Sequence, residues 1–313
     1  MNGLELSRAY FEAYGRPLLE ERFPDLAPLV CAGLFGSGSE CLGFDDDVSR
    51  DHDFDPGFAI LLPSEDVVDR RRAFELERAY DKLPREFQGV ERPRLAPVGG
   101  PRRGVMRTAD FFRDKTGSPD GVLTVRQWLE VPSHLLGEAV NGAVFHDGPG
   151  EVTRIRESLA HYPADIRRKK LAGHLLLAAQ AAPYNVERCL RHGEPAAAQM
   201  ALFAFVQHAM SAIFLLNDAY EPFYKWGFRA LRRLPVLAIE AELFEYLITT
   251  GNDGQLAHDK LEVVEGIAED LARELVRQGL SDVSSADLER HAYAVNDGIA
   301  DGGIRTLHIL VGA

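Results

Sequence analysis

The stretch that most constrains this chain covers residues 33–62. It begins Gly33-Leu-Phe-Gly36-Ser37-Gly38-Ser39-Glu40, crosses an acidic loop to Asp51-His52-Asp53-Phe54, and ends in the apolar run Phe58-Ala-Ile-Leu-Leu62. The run Leu29-Val-Cys-Ala32 before it predicts a buried strand, with the Gly/Ser segment as the turn leaving it. If residues 51–54 open the next strand, its period of two puts Asp51 and Asp53 on one face and His52 and Phe54 on the other. Two carboxylates that close together repel and are costly to desolvate, so a hard divalent cation is their natural partner. Small residues beside them leave room for a phosphate to approach bare backbone N–H groups. A phosphate cradle beside a metal-binding carboxylate pair is the chemistry of phosphoryl or nucleotidyl transfer.

Three rival motifs fail on the same letters. A Walker loop needs Lys after its last Gly, but Ser39 and Glu40 follow Gly38. A dinucleotide fingerprint needs Gly where Cys41 stands. An EF-hand loop starting at Asp51 needs Gly at Pro56 and Glu at Leu62.

The spacing of apolar residues predicts a helix over 4–22, ended by Pro24, and strands over 29–35 and 58–62. Pro56 and Gly57 predict a bulge or an edge position in the second strand. Ser64 with Glu65 and Asp66 predicts the start of a helix running to residue 82. Residues 84–103, rich in Pro and Gly, predict a long loop. A short strand over 104–108, helices over 109–115, up to 130 and over 133–141, and a short strand over 143–145 follow. Beyond Thr153 the pattern is helical. Gly148-Pro149-Gly150 is the sharpest turn signal before that change. The expected division is therefore 1–149, a mixed sheet flanked by helices, and 150–313, an all-α bundle: an α+β chain.

In the helical half, residues 195–218 are apolar nearly all round, which predicts a central helix interrupted by Gln199, Gln207, His208 and Asn217. Such polar residues in a core are usually satisfied by internal partners. Gln180, Tyr184-Asn185, Arg188 and Arg191 recur every three to four residues and would line one helical face. Further on stands Asn217-Asp-Ala-Tyr220-Glu-Pro222-Phe-Tyr224-Lys225-Trp226.

Gly38-Ser39, the eleven residues from Glu40 to Arg50, and then Asp51-His52-Asp53 resemble the polymerase-beta-type nucleotidyltransferases. Those carry Gly-Ser, a short spacer and Asp-x-Asp on a strand. The longer string Gly-Ser-Gly-Ser-Glu…Gly43-Phe-Asp-Asp…Ser49-Arg-Asp-His-Asp resembles the DUF4037 proteins of that superfamily. So do the Tyr-Asn…Arg helix and the Asn…Tyr…Pro…Tyr-Lys-Trp segment. The resemblance thus touches residues 36–62 and 180–226. A nucleotidyltransferase-like domain followed by a helical one is also the build of the kanamycin-type aminoglycoside nucleotidyltransferases.

The resemblance implies that Asp51 and Asp53 hold Mg²⁺ and are catalytic, with an NTP, ATP first, bound through Gly36, Ser37, Gly38 and Ser39. Arg188, Arg191 and Lys225 are candidates for triphosphate or acceptor contacts. Glu40, Asp46, Asp47, Ser49 and His52 are possible contributors from the loop. A third carboxylate usually completes such a site. Around Gly104-Val-Met106-Arg107-Thr108 it is absent and Arg107 stands near its place, with Asp110 and Glu130 the nearest substitutes.

The net charge of −13 argues against a long nucleic-acid footprint and makes a small, cationic acceptor attractive. Basic clusters such as Arg167-Arg-Lys-Lys170 read as solvated faces. Three cysteines, no signal-peptide core and no unbroken apolar run long enough for a bilayer lead to the expectation of a cytoplasmic protein. The residues leave oligomeric state open. They also leave two other functions open: a catalytically inactive nucleotide-binding regulator, or an interaction module with a structural metal site.

Overall fold

The computed structural model describes residues 2–46, 55–92 and 103–313. Asp47, Ser49, Asp51, His52 and Asp53 lie outside the described residues. The chain parts into two compact units, Met1–Gln127 with Val131–Ala160, and Trp128–Glu130 with His161–Ala313. The parting falls past the Gly148-Pro149-Gly150 turn because the helix that follows it stays with the first unit. Asp147 Oδ2 accepts from Thr153 N–H at 2.8 Å and from Thr153 Oγ1 at 2.7 Å.

In the first unit, α1 (Gly3–Tyr10) begins on a capping box. Glu5 N–H donates to Asn2 Oδ1 at 2.8 Å and Asn2 N–H to Glu5 Oε2 at 3.0 Å. Two π-helical turns, Phe11–Gly15 and Leu18–Arg22, extend it, so the rod predicted over 4–22 is present but widened. Strands β1 (Cys31–Leu34) and β2 (Ala59–Leu62) are joined through α2 (Ser39–Leu42). Next come α3 (Arg70–Asp81), a small hairpin of β3 (Glu86–Phe87) and β4 (Val90–Glu91), then β5 (Gly104–Arg107) and α4 (Thr108–Thr116). Helix α5 (Val125–Glu130), whose residues from Trp128 belong to the second unit, α6 (Ser133–Val140), β6 (Ala143–Asp147) and α7 (Glu151–Ser158) complete the series.

The mixed sheet has the order β5-β2-β1-β6. β1 pairs antiparallel with β2 and β6, and β2 pairs parallel with β5. Both central strands are buried along their whole length, as strands covered on both faces must be. Their side chains join Tyr10, Phe11, Leu18, Phe58, Leu76 and Tyr80 in one core.

Three local expectations shift. The register break lies at Ala32/Gly33 opposite β6, whereas Pro56-Gly57 simply delays β2 until Ala59. The helix expected from Ser64 starts at Arg70 instead, capped by Asp69, whose carboxylate accepts from Arg72 N–H at 2.8 Å. Part of the 84–103 loop is the β3–β4 hairpin.

The second unit is helical throughout its described elements. It contains α8 (Ala164–Ala179), a π-helical turn (Gln180–Val186), α9 (Glu187–Arg191) and α10 (Pro195–Leu216). Then follow α11 (Tyr224–Leu231), α12 (Glu240–Thr249), α13 (Gln255–Arg277), α14 (Leu288–Asp297) and α15 (Gly302–Arg305). α10 is central as expected, packing on α8, α9, α12 and the π-turn. By length and composition alone α10 is apolar enough to cross a membrane, which the unbroken runs of the sequence do not suggest. Most of that apolar window is buried inside the unit, as in the core helix of a bundle.

Candidate functional site: the Gly/Ser turn and the polar core of the helical unit

The turn leaving β1 is held from the other end of the first unit. Gly36 has φ +98° and Gly38 φ +146°, conformations that a Cβ disfavours, so both positions need glycine. Gly36 N–H donates to Asn141 Oδ1 at 2.9 Å, and Asn141 Nδ2 donates to Gly36 O at 2.8 Å. Gly142 N–H donates to Cys41 O at 3.0 Å, tying α2 to the α6–β6 turn. α2 begins directly after Gly38 and stops at Gly43, in the left-handed conformation.

Beneath the turn, Arg103 forms a buried bridge. Its Nε is 3.1 Å from Asp55 Oδ1, and its Nη2 lies 3.3 Å from both Glu40 Oε1 and Asp55 O. Arg103 is only 5% exposed, and Glu40 and Asp55 are as deeply buried. Glu40, read from the sequence as a loop contributor to a metal site, is here an ion-pair partner of Arg103. Arg103 passes so close over Gly57 that a Cβ there would sit 2.3 Å from its Cδ. The backbone on either side is satisfied by Ser7, whose Oγ donates to Gly57 O at 2.6 Å, and by Tyr80, whose hydroxyl donates to Phe58 O at 2.7 Å.

Arg107 donates from Nη1 to Pro63 O at 2.7 Å and Val68 O at 2.8 Å, closing the β2–α3 connection. Asp110 is exposed and bound to Arg113 at 2.8 Å, and Glu130 belongs to the second unit. Among the described residues, no group of three or more His, Cys, Asp or Glu is arranged to hold a metal ion. The carboxylates that the Mg²⁺ expectation rests on, Asp51 and Asp53, lie outside the described residues.

In the helical unit, Pro183 removes a backbone donor within the π-turn, so the face expected from α-helical spacing is widened there. Arg188 still meets Tyr184, donating to its hydroxyl at 2.7 Å with the guanidinium 5.3 Å from the ring centre. Arg191 is paired with Glu187. Lys225 lies 5.0 Å from the centre of the Trp226 ring, on an exposed surface with Tyr224. Gln199 accepts from Lys260 Nζ at 3.2 Å and from Asn252 Nδ2 at 2.9 Å. Asn217 accepts from Val236 N–H at 3.0 Å and donates to Val236 O at 3.0 Å. These are the internal partners expected of core polar residues, whereas Gln207 faces outward and is exposed.

Several buried or half-buried polar groups are paired in ways that the sequence does not show. Within Arg167-Arg-Lys-Lys170, Lys169 is 0% and Lys170 7% exposed, so half of that run is core rather than solvated face. Lys169 Nζ donates to Leu307 O at 2.6 Å and Asn296 Oδ1 at 2.9 Å. Lys170 Nζ donates to Gly312 O at 2.6 Å and Leu129 O at 3.0 Å, and burial pushes its ammonium down to about 8. His174 and His208 place their Nδ1 atoms 3.1 Å apart between α8 and α10. Burial, then His208 and Lys170, push His174 down to about 3. Ser211 donates to Glu221 at 2.5 Å, and burial raises that carboxyl. The signal available in the sequence was position: Ile166, Lys169, Lys170 and Gly173 share one face of α8.

Residues 128–227, from the end of α5 into α11, match the family model Domain of unknown function (DUF4037). The chain therefore carries a DUF4037 domain over that segment. The match covers the helical part of the resemblance, and the Gly/Ser and Asp-x-Asp segment lies outside it. No curated protein and no solved structure matches the chain.

Proposed function

We propose that the chain is a Mg²⁺-dependent nucleotidyltransferase that moves an NMP, AMP first, from an NTP to a hydroxyl-bearing acceptor. A small molecule is the favoured acceptor, and the cytoplasm the favoured compartment. What carries this reading is the order of parts in the first unit. A buried strand leads into a Gly/Ser turn fixed by Asn141, then a short helix, then an antiparallel strand preceded in sequence by Asp51-His52-Asp53. Arg103 adds support, since it holds both Glu40 after the turn and Asp55 before β2.

In this reading Asp51 and Asp53 hold the cation, and the amides and hydroxyls of residues 37–39 orient the phosphates, because the Gly36 amide is taken by Asn141. Bound Mg²⁺ supplies charge neutralisation at the α-phosphate and the leaving pyrophosphate. Arg188, Arg191 and Lys225 belong to the proposal only as candidate phosphate or acceptor contacts.

Calorimetric titration of ATP, GTP, CTP and UTP with Mg²⁺ tests it, on wild type and on the Asp51→Asn/Asp53→Asn double variant. Mg²⁺-dependent binding lost in the variant, followed by pyrophosphate release with an acceptor, is expected. No NTP binding to the wild type would sink the reading and leave an interaction module.

One observation favours a second outcome, nucleotide binding without transfer. Arg107 pairs with Leu62 in the β2–β5 register, near where the third acid is expected, and its guanidinium is committed to two carbonyls.

A further inference from the structure

We infer that Lys115 is the side chain that meets phosphate at the 36–39 turn, with Glu138 as its built-in competitor for the ammonium. The inference rests on the nucleotide-binding reading above. Lys115 sits in the last turn of α4, and its Cε lies 4.0 Å from the position a Cβ on Gly36 would take. Its stem therefore runs beside bare backbone, where a glycine leaves room for a phosphate oxygen.

The ammonium is 2.9 Å from Glu138 Oε2 on α6 and 3.0 Å from Asp114 Oδ2. Lys115 and Glu138 are 15% and 16% exposed in their side chains, whereas Asp114 is 72% exposed. Glu138 is thus the partner that matters, because ion pairs of exposed carboxylates are worth little. Burial pulls the Lys115 ammonium down, but the bonds from Glu138 and Asp114 outweigh it and the group stays charged. Neighbouring cations have fixed work. Arg103 bridges buried carboxylates, Arg107 holds carbonyls, and Arg156 donates to Val140 O and Asn141 O at 2.8 Å each. A lysine held beside the turn by Glu138 and by the exposed Asp114 can exchange a carboxylate partner for a phosphate. It then trades a single carboxylate charge for a group of higher charge.

This arrangement predicts opposite signs for two substitutions, which a purely structural ion pair does not. Tripolyphosphate is titrated calorimetrically into wild type, Lys115→Met, Lys115→Arg and Glu138→Gln, with melting temperatures recorded for each. Lys115→Met is expected to weaken binding about tenfold to a hundredfold, the loss of one charge-assisted hydrogen bond. Glu138→Gln is expected to tighten it by removing the competitor, and Lys115→Arg to stay near wild type. If Lys115→Met and Glu138→Gln both lower the melting temperature and leave tripolyphosphate affinity unchanged, the inference is overturned. Tripolyphosphate binding with these signs but no NTP binding would sink the nucleotide reading and keep the Lys115 assignment. NTP binding indifferent to Lys115→Met would do the reverse.

Discussion

Asn141 and Gly36 exchange two hydrogen bonds, at 2.9 and 2.8 Å, across 105 positions of sequence. One side chain thereby fixes the donor and the acceptor of the residue that opens the Gly/Ser turn. Asn141→Ala removes both, and the expected cost is about 1–3 kcal/mol, the range for orphaning part-buried backbone groups. Denaturant unfolding measures the loss, and faster hydrogen exchange at the Gly36 amide would locate it. An unchanged exchange rate would mean that other contacts fix the turn.

Gly57 is required by proximity. A Cβ there meets Arg103 Cδ at 2.3 Å and Asp55 Oδ1 at 2.8 Å, so Gly57→Ala must displace the bridge between Glu40 and Asp55. The expected destabilisation is about 1–3 kcal/mol, as for other overpacked sites. Combined with Arg103→Ala, which clears the space, the loss should fall short of the sum of the two single costs. Strict additivity in a double-mutant cycle would contradict the packing described.

Glu240 opens α12 with 0% exposure, and among the described residues neither carboxylate oxygen has a hydrogen-bond partner. Burial raises it to about 7, with Arg273 pulling the other way. The folded state holds this proton up to about pH 7 while the unfolded chain releases it near 4.5. The contribution is therefore fully present below 4.5 and lost as pH rises to 7. The total is about 3 kcal/mol by linkage. Glu240→Gln should remove that falling limb, visible as a stability difference from wild type that grows between pH 4.5 and 7. A difference that stays flat across that window would refute it.

The His174–His208 contact has the opposite sign. Their depressed affinity for protons means that the unfolded chain binds protons below 6.5 while the pair resists, down to about pH 3 for His174. Stability is present above 6.5 and falls as pH drops. A His174→Gln/His208→Gln variant should show a flatter acid limb in melting temperature against pH. An acid limb as steep as wild type would show that other groups carry it.

The central strands, α6 and α10 were legible because their apolar pattern repeats over whole elements. The start of α3 was not, since Ser64 and Asp69 are both good caps and Asp69 is the one that accepts from a first-turn amide. Residues 64–68 instead form the turn whose Val68 carbonyl, with that of Pro63, receives Arg107. Arg107 and Asn141 owe their roles to distant backbone groups, which leave no mark in a list of side chains. The same blindness hid Lys169 and Lys170, each of which has an acceptor more than a hundred positions downstream. The Gly/Ser turn itself was legible because only glycine tolerates its backbone angles.

The grip of those two lysines bears on the order in which the protein is made. Lys169 and Lys170 leave the ribosome long before Leu307 and Gly312, whose carbonyls receive them. Until then each ammonium lacks its shortest carbonyl partner, so α8 cannot settle fully into its final place. The first unit carries no such debt to late-synthesised residues, because every part of it has been translated by residue 160. Closure of the helical unit should accordingly trail synthesis to its last turns, and a nascent chain halted before residue 307 should keep Lys169 and Lys170 open to amine-reactive labels.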